Sequence, residues 1–106
     1  MIGRRGGRFR DLVARQLELF AEDETELLAE AEDADAAWTR AERGETEERY
    51  GDYQLVVDAI GERLYELRES YAVGLDEEAA DEYRDAFTRA AAKRFSRYVA
   101  LLEEDG

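Results

Sequence analysis

Carboxylates are the chemically useful side chains that recur most often in this sequence. Pairs of acids three residues apart occur at Glu30/Asp33, Glu42/Glu45, Glu45/Glu48, Glu66/Glu69 and Glu78/Asp81. Mg²⁺ accepts oxygen ligands alone, so two such pairs facing each other across a helical bundle would form a magnesium site. With 28 Asp and Glu in 106 residues, this spacing also arises by chance. We therefore expect a solvated face and assign no metal ligand and no cofactor.

Nucleophilic catalysis has few residues to use. The sequence contains no Cys and no His, and its only serines are Ser70 and Ser96. Neither serine lies in a Gly-x-Ser-x-Gly turn, so a serine triad of the usual kind cannot form. The absence of His also removes the Glu-x-x-His ligands of di-iron helical bundles. We therefore assign no catalytic residue and favour a small soluble protein without enzymatic activity.

Three segments resemble a known enzyme family. Residues 48–52 read Glu-Arg-Tyr-Gly-Asp, open an apolar helix and resemble the Glu-x-Gly-Asp segment of the all-α, MazG-type nucleotide pyrophosphohydrolases. Residues 75–79 and 93–98 are similar to the last helix of that family. The resemblance implies a magnesium-dependent nucleotide hydrolase in which paired Glu-x-x-Glu and Glu-x-x-Asp motifs bind the metal. Arg49 stands where the second motif should begin, and such an enzyme is the alternative prediction.

The charge balance argues against several classes of partner. Asp and Glu number 28 against 15 Lys and Arg, which gives a formal net charge of −13. Such a field repels phosphates and anionic lipids, so we expect neither nucleic acid nor a membrane as partner. Without Cys there is no disulfide framework, and the apolar runs are too short to span a bilayer. The cytoplasm is the compartment we predict.

Apolar residues recur at helical spacing along the chain. The clearest series steps by three and four residues through Tyr50, Tyr53, Val57, Ile60, Leu64, Leu67 and Tyr71. With no Pro in the sequence, the pattern predicts three helices near 8–43, 46–72 and 77–103, the last capped by Asp76. Short connections make successive helices antiparallel, so we predict an all-α, up-down-up antiparallel three-helix bundle forming one domain, 8–106.

The first predicted helix has one charged position in its heptad-like apolar seam. This position is Glu24, and its neighbours Glu22, Asp23 and Thr25 are also polar. A carboxylate in a packed seam is costly unless it is paired. The helix therefore either breaks near 22–25, which would give four helices, or passes through a looser layer. We favour a continuous or kinked helix.

The first helix is longer than its partners, so part of it should lack a neighbour. The overhanging residues are Phe9, Leu12 and Val13. Clustered exposed apolar side chains usually mark an interface, so we predict a homo-oligomer, most simply a twofold dimer. The alternative is that residues 8–21 fold over the end of the bundle as a short fourth helix.

Residues 16–39 contain many acids and no basic residue. Glu22, Glu26, Glu30 and Asp33 follow one another at helical spacing, and the first three step by four rather than by the three of a metal motif. Like charges at this spacing repel by a few tenths of a kcal/mol per pair, about the size of an attractive pair. One reading is a docking strip for a basic protein; the other is neutralisation by the arginines of the third helix.

Two further features remain. Residues 1–7 form a glycine-rich basic arm that we expect to be disordered. The arginines in and just after this arm should pair with the acidic strip of the same or a neighbouring copy: Arg4, Arg5, Arg8 and Arg10. Five aromatic residues should meet at the end of the bundle that holds the first loop: Trp38, Tyr50, Tyr53, Phe95 and Tyr98. They could line a pocket for a small ligand, although aromatic stripes usually serve as core.

Overall fold

The computed structural model of the chain describes residues 7–105. Its helices are α1 (Arg10–Asp23), α2 (Thr25–Thr39), α3 (Thr46–Ala72), α4 (Glu77–Arg94) and α5 (Ala100–Asp105). A single 3₁₀ turn, Ser96–Tyr98, separates α4 from α5. The described residues contain no strand, so the predicted all-α bundle is confirmed. The predicted arm falls outside this part of the chain except for Gly7.

The first predicted helix is kinked at Glu24. The backbone there leaves the helical region, with φ −106° and ψ 28°, and this residue separates α1 from α2. Hydrogen bonds still bridge the interruption, because the Glu24 amide donates to the Phe20 carbonyl at 2.9 Å. The Thr25 hydroxyl donates to the carbonyls of Ala21 and Glu22 at 3.1 and 2.9 Å, a contact that bends helices. The Glu24 carboxylate accepts a 2.6 Å hydrogen bond from Arg63, which satisfies the charge in the seam.

The helices follow the predicted up-down-up order. The α2 helix runs antiparallel to α3, since Glu24 meets Arg63 near one end and Trp38 meets Tyr50 near the other. The α1 helix instead runs parallel to α4. Three successive contacts show this direction: Arg8 with Glu82, Phe9 with Tyr83 and Phe20 with Phe95.

Tyr83 of α4 is the central residue of the contact between α1 and α4. Its ring is fully buried and meets the edge of the Phe9 ring at 5.5 Å between centroids. Its hydroxyl donates a 2.7 Å hydrogen bond to Gln16 Oε1. Burial raises the pKa of Tyr83 to about 12, so the hydroxyl remains a donor at neutral pH. This contact fixes the register of α1 on α4.

The third helix begins as predicted but ends earlier than predicted. Asp76 caps α4 by accepting a 2.9 Å hydrogen bond from the amide of Ala79. The predicted end near residue 103 is wrong, because α4 ends at Arg94 and the Phe95 backbone turns away with φ −126° and ψ 49°. The chain then folds back along α3, where a side chain at Gly61 would place its Cβ 3.2 Å from the Tyr98 carbonyl oxygen.

The residues after the turn complete the core. Val99 and Leu102 are buried, and the most completely buried large apolar side chains of the core are Val13, Ile60, Leu64, Tyr83, Phe87 and Leu102. The segment folds back along α3 instead of continuing α4 beside the end of α2, and this buries Val99 and Leu102. Among the helices of residues 7–105, none has the length and apolar character needed to cross a membrane.

Candidate functional site

The apolar N-terminal residues predicted to overhang the bundle are covered within the chain. Phe9 and Val13 are only 7% and 1% exposed, and Leu12 packs partly buried against the same core. The expectation that they are exposed is wrong because α4 begins level with Arg8 and runs beside α1, as the contact between Arg8 and Glu82 shows. This arrangement is closer to the alternative in which residues 8–21 cover the bundle. Dimerisation therefore stays a prediction without this support.

The unpartnered part of the bundle lies at the opposite end. Arg97, just after α4, pairs with Glu32 and Asp35 of α2, and the chain then turns back along α3. The end of α2 and the start of α3 therefore extend past α4 as a two-helix hairpin. Tyr50 on this hairpin is 44% exposed.

Seven of the nine acids in residues 16–39 fall into two groups by their position on the helix, and the other two are Asp23 and Glu18, which pairs with Arg15. Three of them bond inward across the bundle. Glu24 pairs with Arg63 at 2.6 Å, while Glu32 and Asp35 share Arg97 at 2.6 and 3.4 Å. Arg97 belongs to the predicted third helix, so the expected neutralisation of the acidic run by that helix applies to Glu32 and Asp35. The pKa of Arg97 is raised above its usual range, chiefly by its hydrogen bond with the Tyr53 hydroxyl and then by the hydrogen bond with Glu32.

The remaining strip, which we call the acidic face, consists of Glu22, Glu26, Glu30 and Asp33. All four side chains are exposed, and none forms an ion pair with another residue in the described part of the chain. The face turns away from Ala31, which is fully buried in the interface with the rest of the bundle. The four residues are exposed on α1 and α2, and no cation among residues 7–105 forms an ion pair with them.

A second surface, which we call the basic groove, lies between α1 and α4. It has a volume of about 240 Å³ and is lined by Arg10, Val13, Ala14, Ala86, Arg89, Ala90 and Lys93. Its floor is apolar and made of small residues, whereas its three long side chains are exposed cations. Two of the arginines predicted to pair with the acidic strip are found elsewhere. Arg10 borders this groove, and Arg8 pairs with Glu82 at 3.3 Å. Arg4 and Arg5 lie outside the described residues.

The predicted aromatic cluster is assembled only in part. Trp38 meets Tyr50 edge-on at 4.7 Å and stacks on Tyr53 at 5.5 Å between centroids. Tyr98 shares with Tyr53 the lining of a groove of about 400 Å³ between α3 and the C-terminal segment. Phe95 is separate from them, because it is buried against Phe20 with centroids 5.6 Å apart.

Sequence reasoning missed a buried arginine. Arg68 of α3 is 1% exposed, and its Nη1 donates to the Thr88 hydroxyl at 2.8 Å and to the Leu102 carbonyl at 3.3 Å. Its Nε donates to Glu69 at 2.8 Å, and the pKa of that carboxyl is lowered, above all by the hydrogen bond from Arg84. The available signal was its position four residues after the buried Leu64.

The residues that carry the resemblance to pyrophosphohydrolases do not assemble a metal site in the described structure. Arg49 forms an exposed 3.5 Å ion pair with Asp52, one helical turn away. Within residues 7–105, no group of three or more acids is placed to hold a metal ion. That resemblance therefore remains a hypothesis that rests on the sequence of three segments. No protein-family model matches the chain, and no curated protein or solved structure is significantly similar to it.

Proposed function

We propose that this protein is a non-catalytic, cytoplasmic helical module that acts through protein–protein contacts and self-associates. Its acidic face is the contact surface, and the partner segment that it binds is basic. The observation that carries the proposal is the division of charge on one helix. Glu24 pairs with Arg63, and Glu32 and Asp35 share Arg97, while the four carboxylates of the acidic face form no ion pair with the described residues.

The acidic face is already held in the arrangement that a partner would bind. Arg63 and Arg97 tie the opposite side of the α1–α2 rod to the bundle through Glu24 and Glu32, both at 2.6 Å. Because the rod is anchored, binding would not have to order the backbone that carries the acids, and this lowers the entropic cost of association. Cations from a partner would also relieve the repulsion between like charges spaced four residues apart.

The size of the face indicates the kind of segment that fits. Glu22 and Asp33 are eleven positions apart, which corresponds to about 16 Å along a helix. A basic helix with Lys or Arg at every third or fourth position could place one cation against each carboxylate. The net charge of −13 would steer such a segment toward the protein and repel acidic competitors.

The proposal is tested with two charge-neutralised variants. E26Q/E30Q removes two carboxylates from the acidic face, and E62Q/E66Q removes two exposed carboxylates at the same spacing from α3. Both reduce the net charge equally, so a general field effect would weaken both alike. Binding of a helical peptide with arginines at every third or fourth position is measured by fluorescence anisotropy at physiological salt. We expect about a tenfold loss for E26Q/E30Q, equivalent to about 1.4 kcal/mol, and little change for the control.

Two results would contradict the proposal. One is equal peptide affinity for wild type and E26Q/E30Q, and the other is an equal loss in E62Q/E66Q. Circular dichroism of each variant shows that its helix content is intact. A pull-down from host extract, with E26Q/E30Q as the matched bait, then asks whether a basic protein depends on these two carboxylates.

A further inference from the structure

We propose that the acidic face of one copy docks into the basic groove of a second copy. This inference rests on the proposed function, because it names the partner of the same acidic face. It gives the groove between α1 and α4 a role that the proposed function alone does not require. Both surfaces belong to described residues of one chain, so their charge complementarity can be compared directly.

The groove supplies cations to an otherwise acidic molecule. Arg10 and Lys93 are exposed, and neither forms an ion pair with the described residues. The third cation, Arg89, pairs with Asp85 but its side chain remains 70% exposed, so it can turn toward a second carboxylate. The groove thus offers three cations that could pair with the four carboxylates of the acidic face.

Both surfaces also carry small residues that are exposed or partly exposed. Ala14, Ala86 and Ala90 form most of the floor of the groove, and no long side chain fills the space between the cations. On the acidic face, the exposed Ala29 lies between Glu26 and Glu30. Small residues on both sides let a helix approach a groove closely, at the 8–10 Å between axes that is usual for packed helices.

One chain cannot bring its own two surfaces together. The acidic face is on the side of α2 that points away from the buried Ala31, whereas the groove opens between α1 and α4. Two different patches therefore meet only between copies. A pair of copies that exchanges this contact in both directions would be a twofold dimer.

The high net charge does not prevent this contact at physiological salt. Charges separated by more than the Debye length, about 8 Å at this ionic strength, are largely screened. Repulsion between distant acids on the two copies is therefore weakened more than attraction between carboxylates and cations in contact. Self-association should be weakest at low salt, where the net charge of −13 acts over longer distances.

Charge exchange between the two surfaces provides the test. R10E/K93E makes the groove acidic and leaves Arg89 with its partner, while E26K/E30R makes the acidic face basic. Light scattering coupled to size exclusion, at high micromolar protein, measures the mass of each sample. We expect an oligomer for wild type, monomers for each variant alone, and restored association when the two variants are mixed.

The outcomes separate this inference from the proposed function. A monomeric wild type, or variants that associate as wild type does, would overturn the self-docking. R10E/K93E retains the acidic face, so it should still bind the arginine-rich peptide if the proposed function holds. A milder variant, R10Q/K93Q, checks that loss of association does not come from misfolding, because neutral side chains at these exposed positions should leave the helix content unchanged.

Discussion

Arg68, near the C-terminal end of α3, donates a 3.3 Å hydrogen bond to the backbone carbonyl of Leu102 in α5. The same guanidinium bonds to Thr88 of α4 and to its neighbour Glu69. One side chain therefore joins three helices at the place where the chain has folded back. Arg68 is almost fully buried, and its bond to the Leu102 carbonyl is buried as well, whereas Thr88 and Glu69 are partly exposed. The carbonyl would therefore lose a donor in a place with little access to water.

Truncation of this arginine should destabilise the protein strongly. We expect Arg68→Ala to lower the free energy of unfolding by about 3 kcal/mol, because it leaves a cavity and deprives the buried Leu102 carbonyl and the partly buried Thr88 hydroxyl of their donor. Arg68→Met, which keeps much of the volume, should recover part of the loss. Urea denaturation gives the values, with the exposed Arg89→Ala as control. A loss equal to that of the control would show that the three-helix junction contributes little.

The pair of Glu69 and Arg84 should make stability depend on pH. Hydrogen bonds from Arg84, and then from Arg68, lower the pKa of Glu69 below its ordinary value of 4.5 in spite of some burial. The ionised form is thus favoured by folding, so its stabilisation is present above pH 4.5 and is lost as pH falls through the folded pKa. The difference in unfolding free energy between wild type and Glu69→Gln should shrink over that range. The exposed Glu66→Gln variant, measured over the same pH series, serves as the control. If the difference in unfolding free energy between wild type and Glu69→Gln did not change with pH, the prediction would be contradicted.

Two glycines of α3 should respond oppositely to alanine. A Cβ at Gly51 would meet nothing within 4 Å, so Gly51→Ala should stabilise the protein by roughly 0.5–1 kcal/mol through helix propensity. A Cβ at Gly61 would lie 3.2 Å from the Tyr98 carbonyl oxygen, so the same gain is offset by displacement of the segment that folds back. We expect Gly61→Ala to be destabilising by about 1–3 kcal/mol. Thermal unfolding compares the two, and similar shifts would mean that the segment does not pack this closely.

Removal of the Phe9 ring should test whether α1 packs on α4. Phe9 is 7% exposed and contacts Tyr83, so Phe9→Ala should cost about 3 kcal/mol in unfolding free energy. Leu55→Ala is the matched control, because Leu55 is 70% exposed and its truncation should cost within about 0.5 kcal/mol. If Phe9→Ala behaved like the control, the originally expected free overhang would be the better description.

Most of the secondary structure could be predicted because it follows local rules. The helix α3 and the Asp76 cap of α4 follow from adjacent residues, and both form as predicted. In the apolar seam of α3, Ile60 and Leu64 are buried as expected, whereas Tyr50 and Tyr71 at its ends are 44% and 37% exposed. The end of α4 could not be predicted from spacing. Tyr98 and Leu102 continue the helical series beyond Arg94, yet the chain turns back and places the Tyr98 carbonyl against Gly61 on another helix, a contact that sequence spacing does not reveal.

The two candidate surfaces also differ in whether local sequence spacing predicts them. The acidic face could be predicted, because Glu22, Glu26 and Glu30 repeat every four residues and therefore share one side of a helix. The basic groove could not, since Arg10 and Lys93 come together only through the parallel packing of two helices distant in sequence. Arg68 was missed because its charge suggested an exposed position, although its spacing from Leu64 matched the buried stripe.

The helices on the two sides of Glu24 differ in the sequence separation of their contacts. The α2 side contacts the next helix in sequence, whereas the α1 side contacts a distant one, and this difference affects the order of folding. The α2–α3 hairpin joins helices that are neighbours in sequence, whereas Arg8 of the α1 end meets Glu82 across 74 positions. Closing the longer loop costs more entropy, so the hairpin should form first and α1 should dock late. The reverse route in native conditions is local opening of α1 while the hairpin stays formed. Amide hydrogen exchange should therefore be faster in α1 than in the middle of α3.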